Sequence, residues 1–155
     1  MKPIDIKANF ITEQMTSNNM KHAKDISKRV KKINHLISKD LYKKDYLTTE
    51  KINNVKPSSK QNINHYWTTY IKKINYLKNN NLEIYVTSDF KQLSDSKRQD
   101  IIKKSEQLAL IHIEKFRAVP ESKYIDGLPA TIFCDSSFLG RTEFLNSKEI
   151  AWKDE

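Results

Sequence analysis

Between Ala23 and Leu41 the apolar residues keep a period that one local structure satisfies. Ala23, Ile26, Val30, Ile33, Ile37 and Leu41 recur at spacings of three and four, which lines them up on one face of an α-helix. The pattern predicts a helix over about residues 12–41. With roughly 3.6 residues per turn, Lys21, Lys24, Lys28, Lys31, Lys32, His35 and Lys39 fall on the opposite face. Such a face is either solvated surface or a row of ammonium groups that can follow a sugar–phosphate backbone.

The charge of the whole chain makes that choice matter. Residues 1–81 hold 17 Lys and Arg against 6 Asp and Glu, whereas residues 82–155 hold 11 against 13. The +9 net charge is therefore confined to the first half. Segregated charge of this kind presents a face to a polyanion, and the commonest polyanion is nucleic acid.

Further along, Leu47–Val55 reads as a short helix capped at Thr48 or Thr49, with Glu50 placed to close a capping box. Pro57 ends it, because the residue before a proline avoids helical geometry. Ser58 and Ser59 cap a third helix running to about Leu77, with Ile63, Trp67, Tyr70, Ile74 and Leu77 on its inner stripe. The Asn79-Asn80-Asn81 run stops it. Leu82, Ile84 and Val86 alternate with polar residues and predict a half-buried strand. Ser94 or Asp95 caps a helix of about 20 residues, with Ile101, Ile102, Ser105, Leu108, Ala109, His112 and Phe116 on one side. Residues 118–128 read as a linker. The tail, ATIFCD and RTEFL around SSFLG, reads as a β-hairpin with Gly140 at the special backbone angle.

Several chemistries are excluded. Gly127 and Gly140 are the only glycines, so there is no Gly-rich phosphate loop and no dinucleotide fingerprint. Cys134 is the only cysteine, which rules out a disulfide framework and a cysteine zinc site and fits a reducing, cytoplasmic setting. Leu128-Pro129 before a strand resembles thioredoxin-like folds, but the partner cysteines are missing. No run is apolar enough to span a membrane. His22, His35, His65 and His112 have no ligand spacing, and Asp89-Phe90-Lys91 is an acid-x-Lys tripeptide without the further aspartate a nuclease needs. The chain reads as a non-enzyme with no metal and no cofactor.

Helix, short helix, tight turn, longer helix, strand: residues 26–86 resemble the winged helix-turn-helix DNA-binding superfamily. Val30, Ile33 and Ile37 match the core face of its first helix. Leu47-Thr48-Thr49-Glu50-Lys51-Ile52 is similar to its second helix, Ser59-Lys60-Gln61-Asn62-Ile63 to the start of its recognition helix, and Leu82-Glu83-Ile84 to its first wing strand. Lys56-Pro57 stands where the family often has a glycine, and no second wing strand follows Val86 at once. The resemblance implies a mainly helical helix-turn-helix unit within residues 1–91, and with the long helix and C-terminal hairpin read over 92–155 the chain is expected to be an α+β fold packed as one unit.

The residues agree with that reading. Residues 51–82 contain no acidic residue, and the outer face of 58–77 carries Gln61, Asn64, His65, Thr68 and Lys72, types that read base edges. Phosphate contacts are assigned to Lys28, Lys31, Lys32, Lys60 and Lys72, and base contacts to Gln61, Asn64, His65 and Thr68. Trp67 and Tyr70 lie on the stripe assigned to the core. The expected function is binding of duplex DNA by a transcriptional regulator or a replication or mobile-element accessory protein, with residues 92–155 serving dimerisation or a protein partner. An adaptor that grips an acidic protein, and an RNA-binding protein, are the alternatives.

Overall fold

The structure, a computed structural model, describes the backbone of residues 3–54, 66–143 and 146–153 and the side chains of 20–47, 66–143 and 148–153. Its elements run α1 (Pro3–Asn54), a 3-10 turn (Trp67–Tyr70), β1 (Ile71–Tyr76), β2 (Leu82–Val86), a second 3-10 turn (Ser88–Gln92), α2 (Asp95–Ile113), α3 (Glu121–Asp126), β3 (Ala130–Cys134), β4 (Ser137–Glu143) and β5 (Asn146–Trp152). The fold is mixed α+β: a helix-rich start and one five-stranded sheet in the order β1-β2-β3-β4-β5. All pairs are antiparallel except β2 with β3, whose parallel pairing is made possible by the long connection through α2. The sheet draws strands from both the basic and the neutral half of the sequence.

The core sits between α1, α2 and the inner face of the sheet. Ile33 and Ile37 of α1 are fully buried, as are Leu82, Ile84, Val86 and Ile132 of the central strands and Ile101 of α2. The alternation expected for 82–88 is present, with Leu82, Ile84 and Val86 inward. Ser94 caps α2, accepting a hydrogen bond from the Lys97 amide at 3.3 Å.

The pattern predicted for the second and third helices is corrected. α1 does not stop near Leu41, and residues 47–54 form no separate helix: one helix runs unbroken to Asn54. Neither glycine nor proline occurs between Ile4 and Asn54, so nothing interrupts the hydrogen-bond ladder, and the Thr-Thr-Glu cap signal lies in helix interior. The helix predicted to reach Leu77 is, from Trp67 onward, a 3-10 turn and then strand β1; residues 58–65 lie outside the described residues. Trp67 and Ile74 are buried as expected, but on a different backbone. Two isoleucines and a tyrosine at 71, 74 and 76 find cross-strand partners in β2, with Ile74 opposite Ile84 and Tyr76 opposite Leu82. That pairing outweighs a helical spacing that fits both states. The asparagine run does turn the chain, but between two strands, with Asn80 at φ 66°.

Two smaller corrections follow. Residues 118–128 are not a bare linker, since α3 occupies 121–126. The hairpin turn belongs to Asp135 (φ 49°) and Ser136 (φ 66°), not to Gly140. Gly140 is needed for a different reason: a Cβ there would lie 2.6 Å from Trp152 Cε3 and 2.9 Å from the Ala151 carbonyl oxygen. β2 does gain a partner from the C-terminal hairpin, β3, in parallel orientation.

Buried polar contacts pin α1 in place. Asp40 meets His112 Nε2 of α2 at 2.7 Å, and Lys115 Nζ lies 3.2 Å from His112 Nδ1. Burial alone would raise the Asp40 pKa, but hydrogen bonds and charge from Lys44 and His112 outweigh it and hold the carboxyl below its ordinary range. Asn34 donates from Nδ2 to the Tyr76 carbonyl at 2.9 Å and accepts from the Tyr76 amide at 2.6 Å. A side-chain amide thus takes the place of a neighbouring strand at the outer rim of β1. Across the molecule, the Arg98 guanidinium lies over the rings of Phe90 and Trp152, 5.6 and 5.0 Å from their centroids.

Candidate nucleic-acid interface

α1 has two unlike faces. The inner one, Val30, Ile33, Ile37 and Leu41, packs on β1, the first 3-10 turn and α2. Its outer one begins earlier: between Met20 and Arg29 every side chain is exposed except the half-buried Ile26. Ala23, assigned to the core by its spacing, stands in solvent because the globular part of the molecule reaches α1 only from about Val30 onward.

Opposite the buried stripe, Lys21, Lys24, Lys28, Lys32, His35, Lys39, Tyr42 and Tyr46 follow one another at spacings of three and four, and all are exposed. Lys31 and Lys43 flank this line, also exposed. The acidic residues of this span are placed elsewhere. Asp40 faces α2, Asp45 accepts from Thr68 Oγ1 at 3.4 Å, and only Asp25 is exposed beside the stripe. From Lys21 to Tyr46 the line is about 37 Å long at roughly 1.5 Å per residue, close to one turn of duplex DNA at about 34–36 Å.

The site residues named from sequence divide into three groups. Lys28, Lys31 and Lys32 stand exposed on this helix as expected. Lys72 is exposed, but on the edge strand β1 and 3.3 Å from Asp135, so it does not share a helix face with base-reading residues. Thr68 is corrected: at 2% exposure it is a buried hydroxyl joining the 3-10 turn to α1, and it meets no solvent. Lys60, Gln61, Asn64 and His65 lie outside the described residues. Tyr42 and Tyr46, 74% and 55% exposed, were missed by the sequence reading. Their spacing from Lys39 and from each other continued the lysine stripe and was the available signal.

A second surface is the outer face of the sheet. Cross-strand pairing places Lys73, Tyr85, Phe133 and Phe138 in one row across β1 to β4. Tyr85 and Phe133 stack with centroids 5.3 Å apart and an interplanar angle of 22°, and Phe138 is 42% exposed. Glu83, the acid beside this row, is engaged by Asn75 Nδ2 at 3.0 Å and by the Tyr85 hydroxyl at 3.4 Å.

Cys134 is buried at 1% exposure, and desolvation followed by the charge of Asp135 raises its pKa, which makes it a packing residue rather than a nucleophile. Among the described residues, no three His, Cys, Asp or Glu side chains converge as a metal site, and no helix is long and apolar enough to cross a membrane. Comparison with known protein families, with curated proteins and with solved structures found no match to the chain.

Proposed function

We propose that the protein binds nucleic acid, with duplex DNA as the first candidate, through the outer stripe of α1. The observation that carries this reading is the line of lysines, with His35 and two tyrosines, from Lys21 to Tyr46, exposed along one helix whose nearby carboxylates at 40 and 45 are turned away. Each ammonium that settles on a phosphate releases a condensed counterion, so the contacts are additive and salt-sensitive but carry little sequence information. This mode does not need a recognition helix over 58–77. A regulator or a replication accessory protein would use a basic helix such as α1 for backbone contacts.

The test is a salt titration of duplex binding by fluorescence anisotropy, comparing the wild type with Lys28→Ala/Lys32→Ala/Lys39→Ala. Duplex binding should show a steep fall of log K with log salt, and each lost lysine should reduce the slope by about 0.9. If the triple variant binds with unchanged slope, or the wild type shows no binding at about 50 mM salt, the stripe serves an acidic protein partner instead.

The row of half-buried Tyr85 and Phe133 with exposed Phe138 supports a second reading, binding of single-stranded nucleic acid such as RNA, because bases stack on aromatic rings at about 1–3 kcal/mol each. Phe133→Ala separates the two: it weakens a single strand and leaves a duplex unaffected.

A further inference from the structure

α2, α3 and β5 enclose a cleft of about 430 Å³, well away from the stripe of α1, and nothing in the proposed nucleic-acid contacts uses it. Its size lies in the range of small-molecule sites. Ile102 and Leu110 of α2 and Ile150 of β5 supply apolar wall. Glu106 is 5% exposed, and its Oε1 has no hydrogen-bonding partner among the described residues. A carboxyl in that position is unusual, because buried polar atoms are almost always paired.

Two features make the position deliberate. Gly127 has φ 80°, a conformation that side chains rarely adopt, and a Cβ at that position would overlap Glu106 Oε2. Its missing side chain is what lets the α3–β3 connection close over the carboxyl. The cleft is also cationic. Lys103, Lys123 and Lys148 line it, against Asp126 as the only other acid. Asp126 is 3.8 Å from Lys148.

We propose that this cleft binds the oxyanion group, carboxylate or phosphate, of a small organic molecule, with the Glu106 carboxyl as its hydrogen-bonding partner and Lys103, Lys123 and Lys148 as its counter-charges. An ammonium ligand would meet three lysines and is disfavoured by the same geometry. Desolvation raises the Glu106 pKa to about 8, the charge of Lys103 pulling it only partly back. At neutral pH the carboxyl is therefore uncharged and has an O–H to donate to an incoming oxygen. Above that pH it becomes an anion and repels the same ligand. The other titratable groups facing the cleft are Lys103 on α2, Lys123, Tyr124 and Asp126 on α3, and Lys148 on β5. The hydrogen bond from Tyr124 to Glu114, followed by burial and by Glu114's charge, holds the phenol above its ordinary value.

Isothermal titration calorimetry of the full chain with benzoate and with phenyl phosphate tests this. Benzoate keeps one charge across the window, and whichever probe binds more tightly identifies the carboxylate or the phosphate as the ligand chemistry. At least one probe should bind at pH 6.5 and weaken about 30-fold by pH 9.5, following the fraction of a group titrating near 8 that keeps its proton. Glu106→Gln retains a neutral N–H donor, so it should bind at pH 6.5 and lose the pH dependence. Lys103→Ala, an exposed change that leaves the fold intact, should weaken binding about tenfold at both pH values. The α1 triple variant should bind the probe as the wild type does. The proposal is overturned if neither probe binds at millimolar concentration at pH 6.5, if Glu106→Gln keeps the wild-type pH profile, or if Lys103→Ala is without effect.

Discussion

Along α1, the lysines at 21, 24, 28, 32 and 39 all stand in solvent, on a face with two exposed tyrosines and no buried neighbour. In the second half three ionisable side chains turn inward: Arg98 is 5% exposed between two aromatic rings, Glu106 is equally buried under Gly127, and His112 is closed against Asp40. The two halves thus spend a similar residue type on different ends. Exposed lysines on one face, with Asp25 as the exposed acid beside them, stand where a partner can meet them. Charge that is buried and surrounded positions helices and strands, at a desolvation cost that makes its removal visible in stability.

Substitutions can break that contrast, and the largest effect belongs to the inner face of α1. Ile37→Ala removes a fully buried side chain where α1 meets the rest of the core and should lower the unfolding free energy by about 2–5 kcal/mol, read from urea denaturation. Next is Glu106. Its folded pKa near 8 lies above the ordinary 4.5, so the stability present at low pH declines as pH rises between those values and is flat above them. Each pH unit in that interval costs roughly 1.4 kcal/mol, so the wild type should lose a few kcal/mol between pH 5 and pH 8. Glu106→Gln should abolish that slope, and denaturation midpoints at the two pH values decide it. A smaller loss, about 1–3 kcal/mol, is expected for Gly140→Ala, whose methyl must displace Trp152 and with it the ring under Arg98. The smallest belongs to the stripe. Replacing Lys28, Lys32 and Lys39 by alanine should change the unfolding free energy by no more than about 0.5 kcal/mol each, while the proposed duplex binding should weaken. A large stability loss there would mean the stripe is structural after all.

Much of the scaffold was legible from periodicity. The Ile33, Ile37, Leu41 face, the alternation of Leu82, Ile84 and Val86, the Ser94 cap and the existence of the C-terminal hairpin, though not its turn at Asp135 and Ser136, all follow local rules that tertiary contacts reinforce. The helix-turn-helix pattern failed where local rules are silent. A Thr-Thr-Glu signal at 48–50 starts a helix only if something has ended the one before it, and no breaker precedes it. Spacings of three and four around Ile74 suit a helix, but the decision belonged to β2, eight residues downstream, which offered Ile84 across the strand. Thr68 was misassigned for the same reason: its exposure depended on a backbone it does not adopt. The Glu106 cleft carried a weaker signal. A glutamate with Ile102 four residues before it and Leu110 four after sits on an apolar flank of α2, yet only the Gly127 connection, distant in sequence, shows that it is enclosed.

The Asn34 amide has a consequence for assembly. An open sheet can grow by adding strands at either rim, and unlimited growth needs both. Here one rim is occupied, since Asn34 engages the Tyr76 backbone and Lys72 and Lys73 project along the rest of β1. The other rim is met in the same way, since the Gln99 side-chain amide of α2 donates to the Lys148 carbonyl of β5. A sheet whose two rims each give up backbone groups to a helix side chain has less to offer an added strand at either end.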